Sequence, residues 1–166
     1  MTQNKPQTSK EFFLNLTILH ASLIIGQVLF IVIFFYMNSS GTEGSGGEDL
    51  DQVFQLIIPI AVIGGLFGSM VLPNRRLQAI KGETDIKEKL ANYRGAMILK
   101  YALLEGPALI AIVGYYITDT IYYLGFALIL IVAQLIYRPT RDRTANDLEL
   151  SLTEVALIED PDSIVT

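Results

Sequence analysis

Cysteine and tryptophan are absent from this 166-residue sequence, and histidine occurs only once, at His20. Without cysteine the chain has no disulfide, no thiolate metal ligand and no cysteine nucleophile. A single histidine also excludes a zinc site that needs two of them. We therefore expect no metal, no other cofactor and no catalytic residue, and an enzyme is the least favoured class of function.

Several functional motifs are missing as well. The sequence has no phosphate-binding Walker loop, no HExxH metalloprotease motif and no GxSxG nucleophile turn. Acidic residues outnumber basic ones, which gives a net charge of −5. Because nucleic-acid-binding proteins carry an excess of basic surface, we expect no nucleic-acid partner.

Formal charge is missing from long stretches of the chain. None occurs in residues 12–42 or 52–74, and only Asp119 interrupts residues 106–137. Uncharged apolar runs of about 18 residues or more are typical of transmembrane helices, because the hydrocarbon core of a bilayer is about 30 Å thick. A soluble domain would place charges on the outer faces of its helices. The sequence therefore predicts an all-α membrane protein, a four-helix transmembrane bundle.

The predicted domain order is an N-terminal tail, a transmembrane domain and a C-terminal tail. The tails are residues 1–11 and 139–166, and the domain between them, residues 12–138, has spans at about 12–37, 53–72, 96–117 and 121–137. A cleaved signal peptide is the alternative for the first span. Its apolar region would be about 7–15 residues long, so we expect an uncleaved helix.

The connections carry local signals for helix ends. Residues 38–50 form a Gly/Ser-rich acidic linker, and Pro73 is expected to end the second helix. Thr118 to Thr120 leaves room only for a tight hairpin. Capping-box spacing places helix starts near Ser9, Ile86 and Leu152; the pairs are Thr8 with Glu11, Asp85 with Glu88, and Ser151 with Glu154.

Two further patterns concern the third helix and the tail. Apolar residues at helical spacing predict that the third helix begins outside the membrane. In the tail the capping pattern predicts a short helix at about 152–158, and the alternation over residues 148–152 leaves a strand as the alternative. The stripe on the third helix is Ile86, Leu90, Tyr93 and Met97.

Basic residues lie on one side of the predicted bundle. With four spans, all 12 Lys and Arg residues lie in the two tails, in the connection between spans two and three, or at the membrane edges next to them, where Lys100 and Arg138 are found. Because cationic loops stay in the cytoplasm, we expect both termini to face the cytoplasm. The predicted location is the cell membrane, most simply the inner membrane of a bacterium.

One carboxylate, Glu105, lies inside a predicted span. Intramembrane acids are rare and usually face the bundle interior. Glu105 lies about nine residues, roughly 14 Å, into the third span, and His20 lies at a similar depth in the first. We expect a polar cluster of Glu105, His20 and Gln27, in which His20 and Glu105 form a hydrogen bond or an ion pair. On the fourth helix, Tyr123, Ala127 and Gln134 share one stripe.

Glycine and proline residues flank this cluster at similar depth. Gly64, Gly65 and Gly68 predict close helix packing on the second helix. Gly106 and Pro107 predict a kink directly after Glu105, because proline removes one backbone hydrogen bond. Three interpretations stay open: a buried pair that holds helices together, a proton- or ion-linked site, and no contact between His20 and Glu105.

Residues 55–117 contain a set of features that belong together in one known family. They are Gly64, Gly65 and Gly68 in one helix, Arg76 and Gln78 in the connection, Glu105 in the next helix, and the run ALIAIVG after Gly106 and Pro107. In these features the segment resembles the hairpin of the c-type proteolipid subunits of rotary ATPases. The resemblance implies that Glu105 is a proton-binding carboxylate.

The composition and the polar site together predict a small integral membrane protein. We expect a non-enzymatic accessory or interaction subunit whose partners are the lipid bilayer and either further copies of itself or a larger membrane complex. The alternative is a proton- or ion-coupled, proteolipid-like or transporter subunit in which Glu105 and His20 bind a proton or a small cation.

Overall fold

The structure is a computed structural model that describes residues 6–41, 48–80 and 85–165. Within these ranges the chain is helical, and the only strand-like pairing is a single bridge between Thr8 and Ile164. The middle of the predicted Gly/Ser linker, residues 42–47, lies outside the described residues. The helices are α1 (Ser9–Ser39), α2 (Glu48–Ala79), α3 (Ile86–Thr118), α4 (Tyr122–Ile136), α5 (Arg141–Asp147) and α6 (Leu152–Glu159).

Three of these helices, α1, α2 and α3, are long and apolar enough to cross a membrane. The number becomes four if α4 and α5, which meet at 85°, count as one bent span. By itself α4 has 15 residues, about 22 Å at 1.5 Å per residue, which is shorter than a hydrocarbon core of about 30 Å. The prediction of an all-helical chain with several membrane-length apolar helices is confirmed.

The helix starts agree with the capping patterns. α1 begins after a complete capping box formed by Thr8 and Glu11, and α6 begins after a second one formed by Ser151 and Glu154. At the start of α3, the side chain of Asp85 accepts a hydrogen bond from the backbone N–H of Lys87. These signals succeed because an exposed N–H at a helix start needs a local acceptor. The strand alternative for residues 148–152 is wrong.

The predicted end of the second helix at Pro73 is also wrong. α2 continues through Pro73 to Ala79. Proline costs the helix one backbone hydrogen bond and introduces steric strain. Continuing the helix buries Leu77, which is 4% exposed, in the same apolar cluster as Leu90 and Tyr93 of α3. The burial of this extra turn offsets the loss.

α3 is the central helix of the molecule. α2 packs along α3, α4 packs on another side of α3, and α1 contacts both α3 and α4. Between α1 and α2 there is almost no direct contact in the described ranges. The C-terminal half of α3 buries Leu104, Ala108 and Ile112 against Ile58 of α2 and Leu130 of α4. The other three long helices therefore pack around α3, and the arrangement is not a regular four-helix bundle in which each helix contacts two neighbours.

The C-terminal segment packs against the end of the bundle at which α1 begins. Leu148, Ile158 and Val165 are buried in one cluster with Phe12 and Leu16 of α1. Backbone hydrogen bonds join Ser9 N to Ser163 O at 2.9 Å and Val165 N to Gln7 O at 3.0 Å. The predicted tail is thus part of the folded molecule. α5 was not predicted. It begins at Arg141 and is capped by Thr140, whose side chain accepts a hydrogen bond from the backbone N–H of Arg143.

Candidate functional site

Glu105 lies near the middle of α3, directly before Gly106 and Pro107. Its side chain is partly buried, and it lies one helical turn beyond Tyr101, on the same face of α3. Among the described residues, no hydrogen bond or ion pair to Glu105 is found. A carboxylate in an apolar helix without a partner is costly, so Glu105 is a residue whose polar group the described part of the chain leaves unsatisfied.

His20 does not pair with Glu105. Its side chain is 5% exposed, and its ring packs against the ring of Tyr101 with centroids 4.9 Å apart. The Nδ1 atom of His20 is buried without a hydrogen-bond partner. His20 is level with Tyr101, which is about one turn, or roughly 6 Å, from Glu105 along α3. The predicted hydrogen bond or ion pair is therefore not formed.

Gln27 is also separated from Glu105, because it contacts the fourth helix. Its Nε2 donates a 2.8 Å hydrogen bond to Oε1 of Gln134 on α4, and both side chains are buried. The remaining Oε1 of Gln27 and Nε2 of Gln134 have no partner. The predicted cluster of three therefore divides into an aromatic contact at His20, an amide pair at Gln27 and an isolated carboxylate at Glu105.

The glycines of α2 differ in their surroundings. A Cβ on Gly65 would lie 2.5 Å from the carbonyl oxygen of Leu103 and 2.7 Å from Cγ of Pro107. A Cβ on Gly68 would only reach ordinary contact with Leu103, at 3.7 Å, and one on Gly64 would meet nothing within 4 Å. Close packing is therefore a property of Gly65, and the prediction for Gly64 is wrong. Gly64 is one residue, or about 100°, around the helix from the contact face.

Pro107 explains why this contact is so close. Proline has no N–H, so the carbonyl of Leu103, four residues earlier, loses its helical partner. That same carbonyl faces Gly65 of α2. α3 nevertheless runs without a break from Ile86 to Thr118. Gly106 is an open position, with nothing within 4 Å of an added Cβ, so in this pair it is Pro107 that contacts α2.

A second polar cluster at the other end of the bundle was not predicted. Asp51 of α2 accepts hydrogen bonds from the hydroxyl of Tyr123 at 2.7 Å and from the hydroxyl of Thr120 at 3.0 Å. Asn38 of α1 donates to Oδ1 of Asp119 at 3.1 Å and to the carbonyl of Tyr115 at 3.2 Å. The cluster joins all four long helices at one end of the bundle, which contains the C-terminal ends of α1 and α3 and the N-terminal ends of α2 and α4. Its sequence signal was the set of polar residues at the ends of the apolar runs.

Two lysines of α3, Lys89 in its first turn and Lys100 near its middle, also have specific partners. Lys100 is 6% exposed, and its Nζ lies 4.3 Å from the ring centroid of Tyr137. Lys89 forms a 2.7 Å ion pair with Glu154 of α6. Burial raises the pKa of Glu154, but hydrogen bonds from Lys89 and Ser151 outweigh it and hold the pKa below its usual value. Sequence spacing could not find these pairs, because their partners are distant along the chain.

Comparisons with protein-family models, with curated proteins and with solved structures find no match for this chain. Evidence for the function therefore comes from the residues of the site. In the described ranges, no three His, Asp or Glu side chains converge as a metal site would require. What the arrangement offers is a carboxylate inside a helix that is long and apolar enough to cross a membrane, and this group can accept a hydrogen bond from another helix or exchange a proton.

Proposed function

We propose that the protein is a multi-pass protein of the cell membrane, in a bacterium the inner membrane, and that it acts as a non-enzymatic accessory or interaction subunit. Four crossings with both termini in the cytoplasm fit the charge distribution. The end of the bundle at which α1 begins and α4 ends has Lys10 on α1, Arg138 after α4, and Arg141 and Arg143 on α5. The opposite end carries Asp51 and Asp119. This asymmetry supports the orientation, because basic residues remain on the cytoplasmic side.

The observation that carries the proposed interaction role is the incomplete environment of Glu105. Lipid tails have no hydrogen-bond donor, so they leave this carboxylate unsatisfied. A polar group on a neighbouring subunit would supply one, and polar side chains are known to hydrogen-bond across helices in membranes. We place the contact with a second copy, or with another membrane subunit, at the exposed side of α3 that carries Ala102 and Val113 and borders Glu105.

α1 provides a second supporting feature. Only 11% of its most apolar stretch is buried inside the molecule. Its exposed side chains include Ile25, Val28 and Phe30, which are 57%, 44% and 46% exposed. Lipid alone can cover such a face, so α1 supports a membrane location, whereas Glu105 supports a protein partner.

Cysteine cross-linking in native membranes tests this proposal, since the chain contains no cysteine of its own. Ala102→Cys places a thiol on an exposed position three residues before Glu105. Phe67→Cys is the matched control on α2, where the side chain is 68% exposed. We expect a cross-linked product from Ala102→Cys, with its mass showing whether the partner is a second copy, and no product from Phe67→Cys.

The role of Glu105 is tested by adding Glu105→Gln and Glu105→Leu to Ala102→Cys. We expect the amide, which can still hydrogen-bond, to retain cross-linking and the leucine to reduce it. Equal cross-linking at positions 102 and 67, or none at position 102 in native membranes, would contradict an interface at this face.

The alternative function is a proton- or ion-coupled, proteolipid-like subunit. It is favoured by Glu105 itself, a half-buried carboxylate in an apolar helix for which the described residues provide no hydrogen-bond partner, because acidic groups in such surroundings often take part in proton or ion transfer. A hydrophobic carbodiimide reacts with protonated carboxylates that are reachable from lipid. Labelling of Glu105, its loss in Glu105→Gln, and an absence of cross-linking at position 102 would favour this alternative over the interaction role.

A further inference from the structure

A groove runs between α1 and the segment that connects α4 to α5, residues 137–140. One half of the groove is apolar and the other half is basic. The half nearer the middle of the bundle has a volume of about 350 Å³, and its apolar lining includes Ala21, Ile24, Ile25 and Leu135. The half at the helix ends has a similar volume, about 350 Å³. The two halves share Thr17 and Arg138, so they form one continuous surface.

The end half of the groove is strongly basic. It is lined by Lys10, Arg138 and Arg141, and no acidic residue lines either half. Within the described part of the chain, none of these three cations forms an ion pair. Nearby Glu11 is engaged by the capping box at Thr8. Three cations therefore converge on a surface whose described lining contains no acidic residue.

Arg141 is the cation most fixed in place. Its guanidinium lies 5.4 Å from the ring centroid of Phe13, and its Nε is buried without an acceptor. A guanidinium offers its N–H groups in a planar fork that fits a phosphate. The rest of the guanidinium thus presents hydrogen-bond donors and positive charge to the groove, and no acceptor for them is found among the residues that the structure describes.

The apolar half determines what kind of anion fits. Ile25 and Leu135 are 57% and 52% exposed, and they extend the groove along the direction of the helices, away from the basic end. A free phosphate would use only the basic half. A molecule with an anionic head and a hydrocarbon tail would use both, and basic pockets on the cytoplasmic side of membrane proteins bind anionic lipid headgroups.

We propose that this groove binds an anionic phospholipid of the cytoplasmic leaflet. Lys10, Arg138 and Arg141 hold the phosphate, and one acyl chain lies along Ile24, Ile25 and Leu135. The inference goes beyond the interaction role of Glu105 and uses only the proposed orientation in the membrane. It concerns the α1–α4 surface, so its failure and the failure of the Glu105 interface give different results.

Lipid binding by the full chain in detergent tests this inference. Native mass spectrometry would compare phosphatidylglycerol with phosphatidylcholine, and inorganic phosphate would serve as the competitor. We expect preferential binding of phosphatidylglycerol that inorganic phosphate does not displace. In Arg138→Gln/Arg141→Gln the affinity for phosphatidylglycerol should fall by about 30-fold, with little change for phosphatidylcholine.

The matched control is Arg75→Gln/Arg76→Gln, which removes the same charge from exposed positions on α2. It should retain the lipid preference. If loss of Arg141 disturbs folding through its contact with Phe13, Lys10→Gln/Arg138→Gln replaces it, because both residues are exposed. Equal binding of the two lipids, equal loss in both charge variants, or displacement by inorganic phosphate would each overturn the proposal.

Discussion

At the scale of single residues, the contact between Gly65 and α3 has the least tolerance for change. The added Cβ would meet a backbone oxygen, Leu103 O, and a ring carbon of Pro107. A flexible side chain could rotate away, but neither of these atoms can move without shifting α3. The chain also contains its own control, because the adjacent Gly64 has open space around it.

Gly65→Ala is expected to destabilise the protein by about 1–3 kcal/mol, the usual range for an overpacked site. Gly64→Ala should be neutral or stabilising by up to about 1 kcal/mol, since alanine favours a helix more than glycine does. The measurement is the midpoint of unfolding by sodium dodecyl sulfate in mixed micelles. Equal midpoints for the two variants would show that α2 and α3 do not approach as closely as described.

At the scale of helices, α1 is attached to the bundle by few polar links. One is the Gln27–Gln134 hydrogen bond to α4, buried and 2.8 Å long. Each amide also keeps one unpartnered polar atom, Oε1 on Gln27 and Nε2 on Gln134. The pair therefore contributes one bond while leaving a buried donor and a buried acceptor unsatisfied.

Gln27→Leu and Gln134→Leu should each destabilise the α1–α4 contact, because each leaves the other amide without its partner. Interhelical hydrogen bonds in membranes average about 0.6 kcal/mol and reach about 1.7 kcal/mol. The double variant should be less unstable than the sum of the single variants, since it removes both amides. A double-mutant cycle in mixed micelles measures this coupling. Strict additivity would mean that the two side chains do not interact.

At the scale of the whole molecule, the C-terminal segment packs across the end of the bundle at which α1 begins. α6 is attached to α3 by the Lys89–Glu154 ion pair at 2.7 Å and to the start of α1 through Ile158, which is fully buried. The hydroxyl of Ser9 donates to the carbonyl of Ile158. Residues that are far apart in sequence are thus held in one structure outside the apolar helices.

The docking of α6 should weaken in acid. The pKa of Glu154 in the folded protein lies below its ordinary value of 4.5. A depressed carboxyl pKa gives a stabilisation that is complete above the unfolded value and is lost as the pH falls through the folded value. We expect hydrogen exchange in α6 to accelerate, relative to Glu154→Gln, as the pH decreases below about 4.5.

Glu159→Gln, an exposed position in the same helix, is the control for this effect and should behave as the wild type. An α6 exchange profile that has the same pH dependence in wild type and Glu154→Gln would exclude the ion pair as the cause.

Local signals made much of the fold predictable. The capping boxes at Thr8 and Ser151 depend on residues three positions apart, and the buried stripe of Leu90, Tyr93 and Met97 depends on helical spacing. The continuation of α2 through Pro73 was not predictable in this way, because it depends on the burial of Leu77 against another helix. The candidate site was predictable as a set of residues but not as a set of contacts.

The sequence by itself determined where the apolar helices lie, because a hydrocarbon environment excludes charge over a length that can be counted along the chain. Only the tertiary structure decided which polar groups meet. A shift of one residue rotates a side chain by about 100°, and a shift of four moves it by roughly 6 Å. Because of these rotations and shifts, His20 contacts Tyr101, Gln27 contacts Gln134, and Gly65 rather than Gly64 contacts α3. Among the described residues, Glu105 has no partner.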